Sequence, residues 1–226
     1  MWRSVTVPAA VLSLAACTTP AAPGPAAVVS PAPPAYTIGA VKAALLTPQQ
    51  IGAGWRARTA PTDVTELPAL CIDGAGVAAP AGEPAAATTT SDWGGELPQS
   101  VIQYVFLPPS AAGTTADLRA TAEACPAAQS FDREPTAEGR YRPAYEQTMT
   151  VADLTVGGWT GFQVRHHQEY EPEHTGSGDH VIAVLHRHNA LLVLRYAIFR
   201  YGEVTPATEF SRTWTSILDK AVTALA

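Results

Sequence analysis

The sequence predicts an α+β fold, with one domain built on a mainly antiparallel β-sheet and with helices packed on one face of that sheet. The C-terminal half carries strand-like segments separated by short turns, which is typical of a β-meander. It closes with residues 206–225, where apolar side chains recur at helical spacing. This stripe predicts a helix that packs on the sheet.

The N-terminus has the features of an export signal that ends in a cysteine. Arg3 precedes an apolar run over residues 5–16, and small residues lead to Cys17. The run is shorter than the roughly 20 apolar residues that a membrane-spanning helix needs. Leu14-Ala15-Ala16-Cys17 resembles the lipobox of bacterial lipoproteins, which implies cleavage after residue 16 and a lipid on Cys17. An ordinary signal peptide that leaves an unmodified cysteine is the alternative.

A lipidated Cys17 predicts an extracytoplasmic protein held at the outer face of the cell membrane, with the membrane as its lipid partner. Residues 17–36 are rich in proline and alanine and predict an extended tether, so that residues 37–226 form the domain. Cys71 and Cys125 then remain as an even pair in an exported chain, which predicts a disulfide. A free nucleophilic cysteine is the alternative.

The remaining elements follow the order of the chain. A capping box at Thr47 predicts a helical turn that stops at Gly52 or Gly54, and residues 60–90 read as a long connection. The further predicted elements are a strand over 101–107, a helix from about Thr114 to Cys125, strands over 145–154, 162–168, 179–188 and 191–201, and the helix over 206–225.

This order of features resembles a known family. "LLTPQQIGAGW", Cys71, a strand, a helix ending at Cys125, a meander and a closing amphipathic helix look like the extracellular sensor domain of actinobacterial PknH-type serine/threonine kinases and of related lipoproteins. The resemblance implies an envelope-facing α+β domain with a central cleft that binds an unidentified ligand, without catalysis. We expect that ligand to be a small molecule or a protein, and we expect no cofactor. The kinase domain itself is missing from this chain.

All six histidines lie between residues 166 and 188, interleaved with carboxylates. If Asn189-Ala190 forms the turn between the last two strands, His180, His186 and Arg195 share one face of the sheet. If Phe162 and Val164 align with the core, His167 falls opposite His180, beside Arg165. We therefore expect a ligand-binding surface that contains Arg165, His167, His180, His186 and Arg195.

Three interpretations of the histidines remain open at this point. They can be partly exposed polar residues of the sheet, or a charge cluster that senses pH. They can also bind zinc or another transition metal, with His167, His174 and His180 as the candidate ligands.

No motif points to a reaction. The chain contains neither a Gly-x-Ser-x-Gly elbow nor a phosphate-binding glycine loop, although a dispersed hydrolase triad is a second alternative function. A formal net charge of -6, without clusters of lysine or arginine, argues against binding to nucleic acid. The sequence therefore predicts a non-enzymatic, membrane-anchored ligand-binding lipoprotein of the cell envelope.

Overall fold

The structure is a computed structural model that describes residues 35–60, 64–72, 74, 76–82, 84–93, 97–135, 141–171, 176–201 and 207–226. Cys17, the predicted signal peptide and His174 lie outside the described residues. The helices are α1 (Ile38–Ala43), α2 (Pro48–Ile51), α3 (Ala111–Glu123) and α4 (Ala207–Ala224). The strands are β1 (Trp55–Arg58), β2 (Glu66–Leu67), β3 (Val77–Ala78), β4 (Ala85–Trp93), β5 (Leu97–Phe106), β6 (Ala128–Phe131), β7 (Glu134–Pro135), β8 (Tyr141–Arg142), β9 (Tyr145–Val156), β10 (Trp159–Tyr170), β11 (Gly176–Arg187) and β12 (Ala190–Tyr201).

The centre of the fold is an antiparallel sheet of eight strands, in the order β1-β4-β5-β12-β11-β10-β9-β6. Every pair of neighbouring strands in it is antiparallel. The predicted α+β class with a mainly antiparallel sheet and a C-terminal meander is confirmed.

Helices cover both faces of this sheet, not one face as the sequence predicts. On the first face, α1, α2 and α4 pack against the sheet through side chains such as Val41, Ile51 and Trp214. On the second face, α3 and the segment 64–79 pack against it through residues that include Leu118 and Leu70. The strands β11 and β12 are therefore buried on both sides, and their apolar runs do not alternate.

The helices begin where their capping residues stand. Thr47 forms the predicted capping box with Gln50, and α2 ends at Gly52. The helix α3 starts earlier than expected, because the hydroxyl of Ser110 accepts a hydrogen bond from the backbone N–H of Gly113. Its buried residues Leu118 and Ala122 lie on the predicted face.

The predicted connection over residues 60–90 is wrong in its last part. Residues 85–93 form β4, which pairs along its whole length with β5. The run Thr88-Thr89-Thr90 consists of β-branched residues that favour a strand. The alanines and prolines around it conceal that signal, since they are typical of a loop in composition.

The turn between β11 and β12 is formed by His188 and Asn189, not by Asn189 and Ala190. Arg187 pairs with Ala190, and His188 has a φ of 54°. The pairing therefore differs from the predicted one by two residues. Because side chains alternate with a period of two, Val181, Ala183 and Leu185 still occupy the expected core face.

Two sets of contacts join parts of the chain that are distant in sequence. Cys71 and Cys125 form the predicted disulfide, with their Cα atoms 5.4 Å apart. Tyr36, expected in the tether, belongs to the domain: its hydroxyl donates to the carbonyl of Leu225 at 2.7 Å, and its backbone N–H donates to the side chain of Asn189 at 2.7 Å. Among the described residues, no helix combines the length and apolarity that a membrane crossing requires.

Candidate functional site

The histidines of β10 and β11 are divided between the two faces of the sheet. His166 pairs with His180, and His167 pairs with Asp179. The predicted pairing of His167 with His180 is wrong by one residue. His166 and His180 lie on the second face, whereas His167 lies on the first.

The pairing of His167 was mispredicted because the sheet was expected to be buried on one face only. Phe162 and Val164 are core residues as expected, but their core is that of the second face. Val181 and Ala183 belong to the core of the first face. A sheet buried on both sides offers two valid alignments of the same apolar residues, and a shift of one residue exchanges the faces.

The second face brings together His166, His180 and Arg195, which we call the basic cluster. The two imidazole rings stack at a centroid distance of 4.1 Å with 20° between their planes. His166 is 2% exposed, whereas His180 and Arg195 are partly buried and reach the surface. The cluster therefore joins a buried imidazole to an accessible edge.

A chain of side-chain amides orients His166. The Nε2 amide of Gln168 donates to Gln147 Oε1 at 2.8 Å, and the Nε2 amide of Gln147 donates to His166 Nδ1 at 2.9 Å. An imidazole that accepts at Nδ1 and is neutral carries its proton on Nε2. This Nε2 N–H faces the backbone of Leu70, whose hydrogen bond raises the pKa of the imidazole.

Both histidines of the basic cluster favour the neutral form. Burial lowers the pKa of His166 to about 4, with the backbone of Leu70 acting in the opposite direction and the charge of Arg195 adding to the decrease. Burial, followed by the charges of His166 and Arg195, lowers the pKa of His180 to about 2. The imidazoles therefore act as neutral donors and acceptors near neutral pH.

Arg195 is the positive charge of the cluster. Burial lowers the pKa of its guanidinium, and the nearby Tyr104 acts in the opposite direction. Among the described residues, no ion pair or hydrogen bond of normal geometry engages the Arg195 side chain. Within the described part of the chain, this partly buried guanidinium is therefore without the carboxylate that usually compensates for lost hydration.

The first face holds a different polar network. His167 Nδ1 lies 2.8 Å from Asp179 Oδ1, and the other carboxylate oxygen of Asp179 accepts a hydrogen bond from Arg200. Arg200 also donates to the hydroxyl of Ser177 at 3.3 Å. The described contacts place arginine, not histidine, beside Ser177, so the serine has no general base there.

The other expected residues lie apart from the basic cluster. Arg165 is on the first face, where its guanidinium approaches the Ser211 hydroxyl of α4 at 3.5 Å. His186 shares the second face with His180, but six residues along a strand separate their Cα atoms by about 20 Å. Of the five expected ligand-binding residues, the structure joins only His180 and Arg195.

The described residues hold no group of three or more histidine, cysteine, aspartate or glutamate side chains that could bind a metal ion. His167 and His180 lie on opposite faces and cannot coordinate one ion together. The stacked rings of His166 and His180 do not aim their nitrogen lone pairs at a common point, since these lone pairs lie in the ring planes.

Aromatic side chains continue the second face beyond the glutamines. Phe131 and Tyr145 stack at 4.5 Å, and Tyr145 and Tyr170 are 5.6 Å apart. Gln147 and Gln168 directly follow this row and precede His166. A cavity of about 390 Å³ is lined here by Ser130, Phe131, Asp132, Ala144, Tyr145, Glu146, Glu169, Tyr170 and Glu171.

His166, Tyr104 and the two glutamines were not among the site residues predicted from the sequence. A signal for His166 exists, because it follows Phe162 and Val164 at the strand period of two and so shares their buried face. The positions of Tyr104 and Gln147 depend on pairing between distant strands and carry no local signal.

Comparisons with known proteins add little to this description. No protein-family model matches the chain, and no curated protein matches it. Among solved structures, the chain has a likeness to a START superfamily protein from Mycobacterium smegmatis, with 10% identity and a TM-score of 0.22 over 57% of this chain and 94% of the other. This degree of likeness supports no inference about either protein's function.

Proposed function

We propose that the protein is a non-enzymatic lipoprotein of the cell envelope, anchored through Cys17, whose domain binds a ligand at the basic cluster on the second face. One observation carries the binding function. The Arg195 guanidinium is partly buried beside two imidazoles, and within the described part of the chain no carboxylate pairs with it. Buried or partly buried donors normally have partners, so donors in this state favour a bound ligand.

The surroundings of the basic cluster support this proposal. The amides of Gln168 and Gln147 fix the orientation of His166 before any ligand arrives. A site whose donors are already oriented loses less entropy on binding. The aromatic row from Phe131 to Tyr170 extends the same face and offers apolar contact to the rest of a ligand.

Native mass spectrometry of the full chain, purified gently from its envelope, tests the binding function. We expect an organic adduct on the wild type that is absent from the Arg195→Gln variant and kept in a His188→Asn control. His188 is exposed and belongs to the turn, away from the cluster. A bare mass for the wild type, also after incubation with envelope extract, would contradict the proposal.

The anchor has its own test. We expect labelled palmitate to enter the wild-type chain and not the Cys17→Ala variant, because the cysteine sulfur is the atom that receives the lipid. Equal labelling of both chains, or labelling of neither, would show that Cys17 is not the anchor.

A further inference from the structure

We propose that the cavity beside the aromatic row is a second binding site, which takes the ammonium group of a small organic cation. The cavity is the one that Phe131, Tyr145 and Tyr170 line, and the inference does not depend on the function proposed for the basic cluster. Tyr170 lies four residues from His166 on β10, which corresponds to about 13 Å along the strand. The two sites are therefore separate.

Aromatic rings form one wall of this cavity. Phe131 ends β6, Tyr145 begins β9 and Tyr170 ends β10, and the pairing of these strands places the three residues side by side. The ring planes of Tyr145 and Tyr170 meet at 57°, so they enclose a wedge that is bounded by one face of each ring. The face of an aromatic ring carries partial negative charge and attracts cations such as ammonium groups.

The charged residues of the cavity lining are all acidic. They are Asp132, Glu146, Glu169 and Glu171, and no described lysine, arginine or histidine is among the lining residues. A concave surface charged with one sign concentrates ions of the opposite sign. The cavity therefore favours a cation over an anion or a neutral molecule.

Two of these acidic residues oppose each other in the sheet. Glu146 and Glu169 are directly paired across β9 and β10. The next residues in this cross-strand row are Ser130 on β6 and Ser177 on β11, which carry no charge. Like charges in direct opposition destabilise a sheet, so a cation bound beside them would offset the repulsion.

The geometry favours an organic cation over a metal ion. In the described part of the chain, carboxylates do not gather in a group of three that could bind a metal ion. An alkylated ammonium group needs no such convergence, because it spreads its charge over a larger surface and packs on aromatic rings. The cavity volume of about 390 Å³ lies within the range of small-molecule sites, which is about 300 to 1,000 Å³.

Choline titration of the full chain tests the proposal, with sodium chloride used to hold the ionic strength constant. The control ligand is neohexyl alcohol, the uncharged carbon analogue of choline. We expect choline to cause saturable shifts of the ring-proton resonances of Tyr145 and Tyr170. The alcohol should bind at least about tenfold more weakly, because it lacks the attraction of a cation to the rings and carboxylates.

Variants assign the binding to this cavity. Tyr170→Leu removes one ring and should weaken choline binding about fivefold, whereas Tyr170→Phe keeps the ring and should bind choline as the wild type does. Glu169 is exposed, so Glu169→Gln leaves the core intact and should weaken binding about threefold. Glu123→Gln is the matched control, because it removes the same charge from α3, outside the cavity lining, and should leave choline binding unchanged.

Glycerophosphocholine, the water-soluble headgroup of phosphatidylcholine, distinguishes the two sources of such an ammonium group. Tighter binding than that of choline would identify a lipid headgroup. Weaker binding, because its phosphate meets the carboxylates, would identify a free ammonium compound.

Three results would overturn the inference. The first is the absence of a saturable shift with choline, and the second is equal binding of choline and neohexyl alcohol, which would describe an apolar groove. The third is a set of calcium-induced shifts that equals the choline-induced set, which would describe a site for cations of any kind.

Discussion

His166 and His180 connect the stability of the domain to pH. Their pKa values in the folded chain, about 4 and about 2, lie below the value near 6.5 of an unfolded chain. Below pH 6.5 the unfolded chain therefore holds more protons than the folded one, and acid favours unfolding. The contribution is complete above pH 6.5 and is lost as the pH falls towards the folded pKa values.

We expect the free energy of unfolding to be about 2 kcal/mol lower at pH 5 than at pH 7 for each of the two histidines. Urea denaturation at the two pH values measures this difference. The His180→Phe variant keeps an aromatic ring in the stack and should show about half of the decrease. His188→Asn is the control, because it removes an exposed histidine at a positive φ that asparagine tolerates. If the decrease in His180→Phe equalled that of the wild type, His180 would not contribute to the pH dependence.

The ion pair between Asp179 and Arg200 makes a second prediction at this scale. Arg200 is 2% exposed and Asp179 is 16% exposed, so the pair is largely shielded from water. Asp179→Asn leaves the guanidinium buried without a counter-ion and should lower the free energy of unfolding by about 3 kcal/mol.

Asp153→Asn is the matched control for this loss. Asp153 pairs with Arg119 in the same way, but its side chain is 84% exposed. An exposed pair contributes little to stability because water screens it, so this variant should be nearly as stable as the wild type. Equal losses in the two variants, measured by urea denaturation, would show that burial does not decide the strength of these pairs.

At the scale of elements, the close approach of β10 and β11 depends on Gly161. A Cβ atom at this position would lie 2.1 Å from the backbone carbonyl oxygen of Val184. The backbone cannot rotate away as a side chain can, so Gly161→Ala should cost about 3 kcal/mol. Gly39 in α1 has no atom within 4 Å of such a Cβ, and Gly39→Ala should stabilise the chain by about 0.5 kcal/mol.

Thermal denaturation of the two glycine variants decides between packing and flexibility. If both variants raised the melting temperature, the effect would come from the reduced freedom of the unfolded chain. Opposite signs are expected, because only Gly161 has a backbone neighbour that blocks a methyl group.

The elements differ in how far their sequence determines them. Thr47 and Gln50 form a capping box that any helix prediction finds, and the apolar stripe of α4 is equally local. The strand β4 was not predicted, because its signal is three threonines among alanines and prolines. The site was predicted only in part. Whether His166 or His167 pairs with His180 depends on whether one face of the sheet or both are buried, which is a property of the assembled fold.

At the scale of the whole molecule, the chain enters and ends on the same side of the fold. Tyr36 binds the carbonyl of Leu225 and the side chain of Asn189 in the turn after β11. His188 directly precedes Asn189 in this turn. His180 lies eight residues before His188, which corresponds to about 26 Å along the strand. The basic cluster is therefore remote from the point at which the proposed tether joins the domain.

The disulfide links the segment 64–79, which covers part of the second face and which we call the cover, to the end of α3. Cys71 lies between Leu70 and Ile72, which pack on that face, and Cys125 follows the end of α3. Closing a loop with a sequence separation of 54 residues removes entropy from the unfolded chain. Replacing both cysteines by alanine should therefore lower the free energy of unfolding by about 4 kcal/mol.

The loss should also be local. Leu70 lies beside His166, so a cover that opens more often exposes the basic cluster and the segment 64–79 before the rest of the sheet. Hydrogen exchange in the Cys71→Ala/Cys125→Ala variant should accelerate in that segment more than in β11 and β12, and reduction of the wild type should reproduce the pattern. Cys17→Ala is the control, because Cys17 takes no part in the disulfide and should change neither quantity. Uniform acceleration across all strands would instead show that the disulfide stabilises the fold as a whole and does not act on the cover of the site.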